Sequence, residues 1–161
     1  MTVESQLLDL LRQDAAAILN DAYDGMGRAH LVHYDRLGPE ATRRRLTVLF
    51  DLTLEAIRTR DLAPVLVYAE ETARTRFSEG FDLNEVQTAI NVLEEAIWTR
   101  VVRSIPPAGL AEALGLVSTV LGVAKDTMGS TYVSEATHLH TTTLDMKSLF
   151  KGTQGHWDPR R

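Results

Sequence analysis

The chain has no cysteine, which excludes disulfides, thiolate metal ligands and thiol nucleophiles together. It also has no Gly-x-Ser-x-Gly turn and no Gly-x-x-x-x-Gly-Lys-Ser/Thr string, so neither a nucleophile elbow nor a phosphate loop is available. Histidine is absent between His33 and His138, which removes the mid-chain proximal ligand that haem needs. Positive charge is in deficit, at a net -5, and this argues against nucleic-acid binding, which displaces phosphate counterions with a basic surface. The one basic run, Arg43 to Arg45, falls at a helix start and reads as a solvated face. The N-terminus is acidic and amphipathic where a secretory leader is basic and then apolar, and no run approaches the ~20 apolar residues of a membrane span. The expectation is a cytoplasmic protein that is not an enzyme, carries no cofactor and meets neither nucleic acid nor membrane.

What the chain does contain is enough apolar material, 44% of 161 residues with 24% charged, to bury the core of one domain. The clearest signals lie in Phe81 to Arg103. Gly80 closes the preceding segment, Asp82 and Glu85 have capping-box spacing, and Phe81 and Val86 stand at the positions of a hydrophobic staple. Leu83, Val86, Ile90, Leu93, Ile97 and Val101 then recur at steps of three and four, and Ala89, Val92 and Ala96 widen that face. This stretch is expected to be a central helix. Gln87, Asn91, Glu94 and Glu95 flank its stripe; Glu94 and Glu95 read as a solvated face, and Trp98 as a core plug or an interface residue.

Upstream, Thr2 caps a helix whose Leu8, Leu11, Ala15, Ile18 and Ala22 keep the same spacing up to Gly25. Gly25-Met-Gly27 reads as a break, and Leu31, Tyr34 and Leu37 as a short helical piece whose His30 and His33 are surface or packing residues. Gly38-Pro39-Glu40 opens a long helix in the usual way, with proline at its first position and an acid at the positive end of the dipole; Leu46, Leu49, Phe50, Leu54 and Ile57 form its stripe. Asp61 caps the next helix, Pro64 sits in its first turn, and Leu66, Ala69, Ala73 and Phe77 lead to Gly80. Such short connections fold neighbouring helices back on one another.

After Ile105-Pro106-Pro107, a last helix from about Ala108 to about His138 carries a seven-residue repeat of small residues, Ala108, Gly115, Gly122, Gly129 and Ala136, along one line. Glycine inside a helix costs about 1 kcal/mol relative to alanine, so the line calls for close approach by another backbone or a flat ligand. Packing within the chain, a homodimer seam and a cofactor slot are the three accounts. Beyond residue 140 the pattern stops. Residues 141–161 read as a flexible tail in which Leu144, Met146, Leu149 and Phe150 form the anchors of a partner-docking peptide or fold back on the body. Ser148-Leu149-Phe150-Lys151-Gly152 also resembles the tails by which cargo docks inside encapsulin shells.

As metal chemistry, Glu135-x-x-His138 is half of a di-iron bundle motif, but the second Glu-x-x-His is missing. A small metal- or haem-binding bundle is the alternative from another class.

The run from Leu46 to Trp98 resembles the N-terminal sensory domain of RsbR and RsbRD-type co-antagonist proteins of bacterial stress signalling. The likeness lies in Ile57-Arg58-Thr59-Arg60-Asp61-Leu62, in Arg76-Phe77-x-x-Gly80-Phe81, and in Glu85-Val86-Gln87. It implies an all-α sensor of five to six helices, related in some members to a globin that has lost haem, commonly dimeric, and passing a signal onward. Where the family's pattern has a phosphorylatable output domain after residue 140, this chain has the short tail, which points to a free-standing regulator or adaptor. The expectation is therefore a helical sensor-like domain over residues 1–140, a homodimer, and protein contact through residues 141–161.

Overall fold

The computed structural model describes residues 1–143, with side chains as far as Leu139. Seven helices follow in order: α1 (Val3–Gln13), α2 (Ala15–Ala29), α3 (Val32–Leu37), α4 (Pro39–Thr59), α5 (Ala63–Ser78), α6 (Leu83–Ser104) and α7 (Pro107–Thr143). There is no strand among the described residues.

Two boundaries differ from expectation. The single helix from Thr2 to Gly25 is α1 and α2, parted at Asp14, which leaves helical geometry at φ -96°, ψ 8°. Because its N–H still reaches the Leu10 carbonyl and its own carbonyl still accepts from Ile18, both at 2.9 Å, the break costs little hydrogen bonding. It redirects the axis so that Leu7, Leu8 and Leu11 before it and Ile18, Ala22 and Met26 after it are all buried. Gly25-Met-Gly27, in turn, does not break the chain. Gly25 is buried where α2 crosses α6, and a Cβ there would stand 2.9 Å from Val92 Cγ1, so glycine is required by packing. The actual stop is His30, left-handed at φ 50°.

The remaining starts follow the sequence signals. Thr2 Oγ1 accepts from the Ser5 N–H, Pro39 occupies the first turn of α4, and Asp61 Oδ1 accepts the Ala63 N–H at 2.9 Å. The α6 capping box is formed, with the Asp82 side chain and the Glu85 side chain each accepting from the other's backbone.

Helix α6 is central. It packs against α2 on one side and α7 on the other, while α7 also lies along α5. Leu93, Ile97 and Val101 of α6 and Val117, Leu121 and Ala124 of α7 are completely buried, and each large apolar side chain so removed from water contributes about 1.5–3 kcal/mol. Helix α7 extends past the expected His138 to Thr143. By length and composition it is the one described helix apolar enough to cross a membrane, although a third of that window is buried within the bundle.

Candidate functional site

Helices α6 and α7 run antiparallel, and a polar ladder sets their register. Gln87 Nε2 donates to the Lys125 carbonyl at 3.3 Å, while Lys125 Nζ reaches Asn91 at 3.3 Å and Glu94 at 2.8 Å. The expected solvated pair is thus divided: Glu95 is exposed, but the Glu94 side chain is largely buried against the Lys125 ammonium.

The same register sets the outer flank of α6, with Trp98 and Val102, level with the stretch Gly115 to Gly122 of α7. Trp98 is 42% and Val102 57% exposed, and they border a shallow groove of about 520 Å³ with Glu95, Thr99 and Arg103. Packing within the chain does not account for the glycine line there. A Cβ on Gly115 or Gly122 would meet nothing within 4 Å among the described residues, whereas one on Gly129 would stand 3.7 Å from Gln87 Nε2. The stripe lies on the side of α7 turned away from the buried Val117, Leu121 and Ala124, so the bundle closes behind it. From Ala113 to Ala124 this helix has no charged residue, yet Gly115 and Thr119 are exposed and Leu116 and Val123 only half-buried.

A second cluster forms at the other end of α6, around Phe81. The Arg76 guanidinium lies 4.4 Å from the ring centre, His33 packs at 4.9 Å, and Tyr34 meets the ring edge-on at 5.1 Å. The Phe81 carbonyl accepts the Tyr132 hydroxyl of α7 at 3.1 Å, and Tyr132 also packs edge-on against Phe77. Arg76 is completely buried. Its Nη1 pairs with Glu79, but Nε and Nη2 have no partner among the described residues.

Glu85, also buried, receives three N–H groups: its Oε2 accepts from the Asp82 backbone at 3.0 Å and from His33 Nδ1 at 2.7 Å, and its Oε1 from the His33 backbone at 3.1 Å. Burial disfavours the charge, but these hydrogen bonds outweigh it and hold the carboxyl below its ordinary range. Burial pushes Tyr132 up to about 12; it also raises Tyr34, against the opposing pull of Arg76.

The reading of His33 as a surface or packing residue missed its bond to Glu85. No sequence signal marks a pair 52 residues apart, although Glu85 was visible as a cap and Arg76 lies in the Arg76-Phe77-x-x-Gly80-Phe81 run. Helix α3 also walls a surface cleft of about 650 Å³ between the end of α2 and the start of α4, lined by Tyr23, Met26, His30, Tyr34 and Thr42. Of the metal half-motif, Glu135 pairs with Arg74 at 3.5 Å, and no group of three His, Asp or Glu that could hold a metal occurs among the described residues. The docking anchors Leu144, Met146, Leu149 and Phe150 lie outside the described residues.

Comparison with known proteins gives one family: the model described as the RsbT co-antagonist protein rsbRD N-terminal domain matches residues 10–145. No curated protein and no solved structure matches the chain. The match runs from within α1 through the whole of the bundle, far more than half of the chain, and the chain belongs to the family of RsbT co-antagonist protein rsbRD N-terminal domains.

Proposed function

We propose that the protein is a non-catalytic signalling module that pairs with a second copy through the α6–α7 face and passes its state to a protein partner. The observation that carries this reading is that Gly115 and Gly122 of α7 stand with no neighbour while Trp98 and Val102 of the adjoining α6 are exposed. An uncharged stretch of helix, Ala113 to Ala124, that its own chain covers only in part is suited to an interface. A line of glycines is suited to close helix approach across it. The family's description names co-antagonism of RsbT, which is regulation through protein contact, and a cytoplasmic sensor, with the bundle arranged in a globin-like way, fits that role. The tail anchors Leu144, Met146, Leu149 and Phe150 complete the reading as the site of partner capture.

Light scattering during size-exclusion chromatography tests the pairing. The full chain should elute at twice 17.9 kDa, and Trp98→Asp with Val102→Asp should elute at the monomer mass with its helicity unchanged. A wild-type chain that stays monomeric at tens of micromolar sinks the dimer reading. For the tail, Leu149→Asp with Phe150→Asp should abolish partner capture, and unchanged capture sinks that part alone.

A further inference from the structure

Helix α3 is six residues long and is bounded by two left-handed or extended-glycine points, His30 at φ 50° and Gly38 at φ 93°. Val32, Asp35 and Arg36 are exposed, while Tyr34 is buried and Leu31 and Leu37 are half-buried against the core, so the segment is held by one face only. Its attachments to the body are specific: the Glu85 carboxylate grips the His33 backbone and ring, and His33 and Tyr34 rest on the Phe81 ring. The other surface of that junction is unusual. Arg76 is buried with two N–H donors that no described atom satisfies, and an unsatisfied buried donor destabilises the state that contains it. Tyr34 lies against Arg76, 5.5 Å from its ring centre to the guanidinium carbon, so lifting α3 admits water to those donors. Closing therefore gains ring contacts and the Glu85 bonds, whereas opening hydrates Arg76. Hydration of Arg76 thus offsets part of the cost of releasing α3.

Release has a route to α7. Phe81 loses two of its ring neighbours when α3 leaves, and the Phe81 carbonyl is the acceptor that ties Tyr132 of α7 to the start of α6. We propose that α3 is a strap that opens about His30 and Gly38, and that its opening is transmitted to the last third of α7 through the Phe81–Tyr132 hydrogen bond. The inference does not rest on pairing through the α6–α7 face, which lies at the other end of α6.

Hydrogen exchange read by mass spectrometry on the full chain tests it. His33→Ala, which removes the ring contact and the Nδ1 bond, should accelerate amides 32–38 by roughly tenfold or more and amides 128–134 of α7 measurably. Tyr132→Phe, which removes only the hydroxyl, should accelerate 128–134 by itself, and adding His33→Ala to it should produce less than the sum of the two effects there. Acceleration confined to α3, or strict additivity in α7, overturns the proposal. Should His33→Ala lose helicity, Glu85→Gln, which keeps the side-chain shape, reads the same two segments under the same criteria.

Discussion

Glu85 holds His33 twice, at the backbone N–H through one carboxylate oxygen and at the ring Nδ1 through the other, at 3.1 and 2.7 Å. The residue that caps α6 in the sequence also joins α6 to α3 in space. An ionised carboxylate only accepts, so the ring must present its Nδ1 proton to it, and the contact depends on the charge of Glu85. With its folded pKa depressed below the unfolded value of about 4.3, Glu85 contributes stability that is fully present above that value and lost as pH falls through the folded pKa. Glu85→Gln should destabilise the chain by about 2 kcal/mol near neutral pH. The difference from wild type should shrink as pH falls below the unfolded value and through the folded pKa in denaturant titrations; a gap that stays constant throughout the acid range contradicts the charge-based account.

Tyr132 gives the opposite dependence. Its folded pKa is raised to about 12 by burial, so its contribution is complete below the unfolded value of about 10 and is lost as pH rises through the folded pKa. Alkaline titration followed by tyrosinate absorbance should show delayed ionisation, of which Tyr132→Phe removes one tyrosine's share near pH 12. The same substitution should cost about 1 kcal/mol at neutral pH, the usual net value of a hydrogen bond, and should flatten the loss of stability between about pH 10 and 12. An unchanged absorbance curve assigns the delayed group elsewhere.

The contrast between these two residues shows what the sequence could and could not carry. Local rules found the α6 capping box, the proline start of α4 and the Asp61 start of α5, because each depends on atoms a few residues apart. Periodicity found Ile90, Leu93, Ile97 and Val101, because burial repeats with the helix turn. It also fused α1 and α2, since a one-residue break at Asp14 leaves the apolar spacing in place. The Phe81 junction escaped: His33, Arg76, Glu85 and Tyr132 come from four helices, and no spacing along the chain encodes their meeting. The glycine repeat was visible as a line, but whether it faced the bundle or away from it depended on how α7 rotates against α5 and α6.

Two glycines of α2 offer a direct comparison of packing with propensity. At Gly25 a Cβ would meet Val92 Cγ1 at 2.9 Å, and at Gly27 it would meet nothing within 4 Å. Gly25→Ala should therefore destabilise the chain by about 1–3 kcal/mol through overpacking at the α2–α6 crossing. Gly27→Ala should stabilise it by about 0.5–1 kcal/mol through helix propensity. Thermal unfolding of the two variants side by side checks the sign, and equal shifts would mean that α2 does not cross α6 at Gly25.

Gly115 and Gly122 extend the same logic to a surface that the monomer leaves open. With no neighbour at either position, Gly122→Ala should raise the stability of the isolated chain by about 1 kcal/mol, since a Cβ costs nothing in space and favours the helix. Gly122→Leu starts from the same open Cβ position. If a second copy brings its helix against this line, however, the leucine stands where that backbone must approach, and association should weaken by about tenfold or more, corresponding to about 1.4 kcal/mol. Unfolding in dilute solution should thus be unaffected or delayed in Gly122→Leu while its dimer dissociation constant rises in sedimentation equilibrium. A leucine that leaves both quantities unchanged removes the glycine line from the interface, and one that destabilises the dilute monomer shows instead that the chain's own atoms occupy the flank.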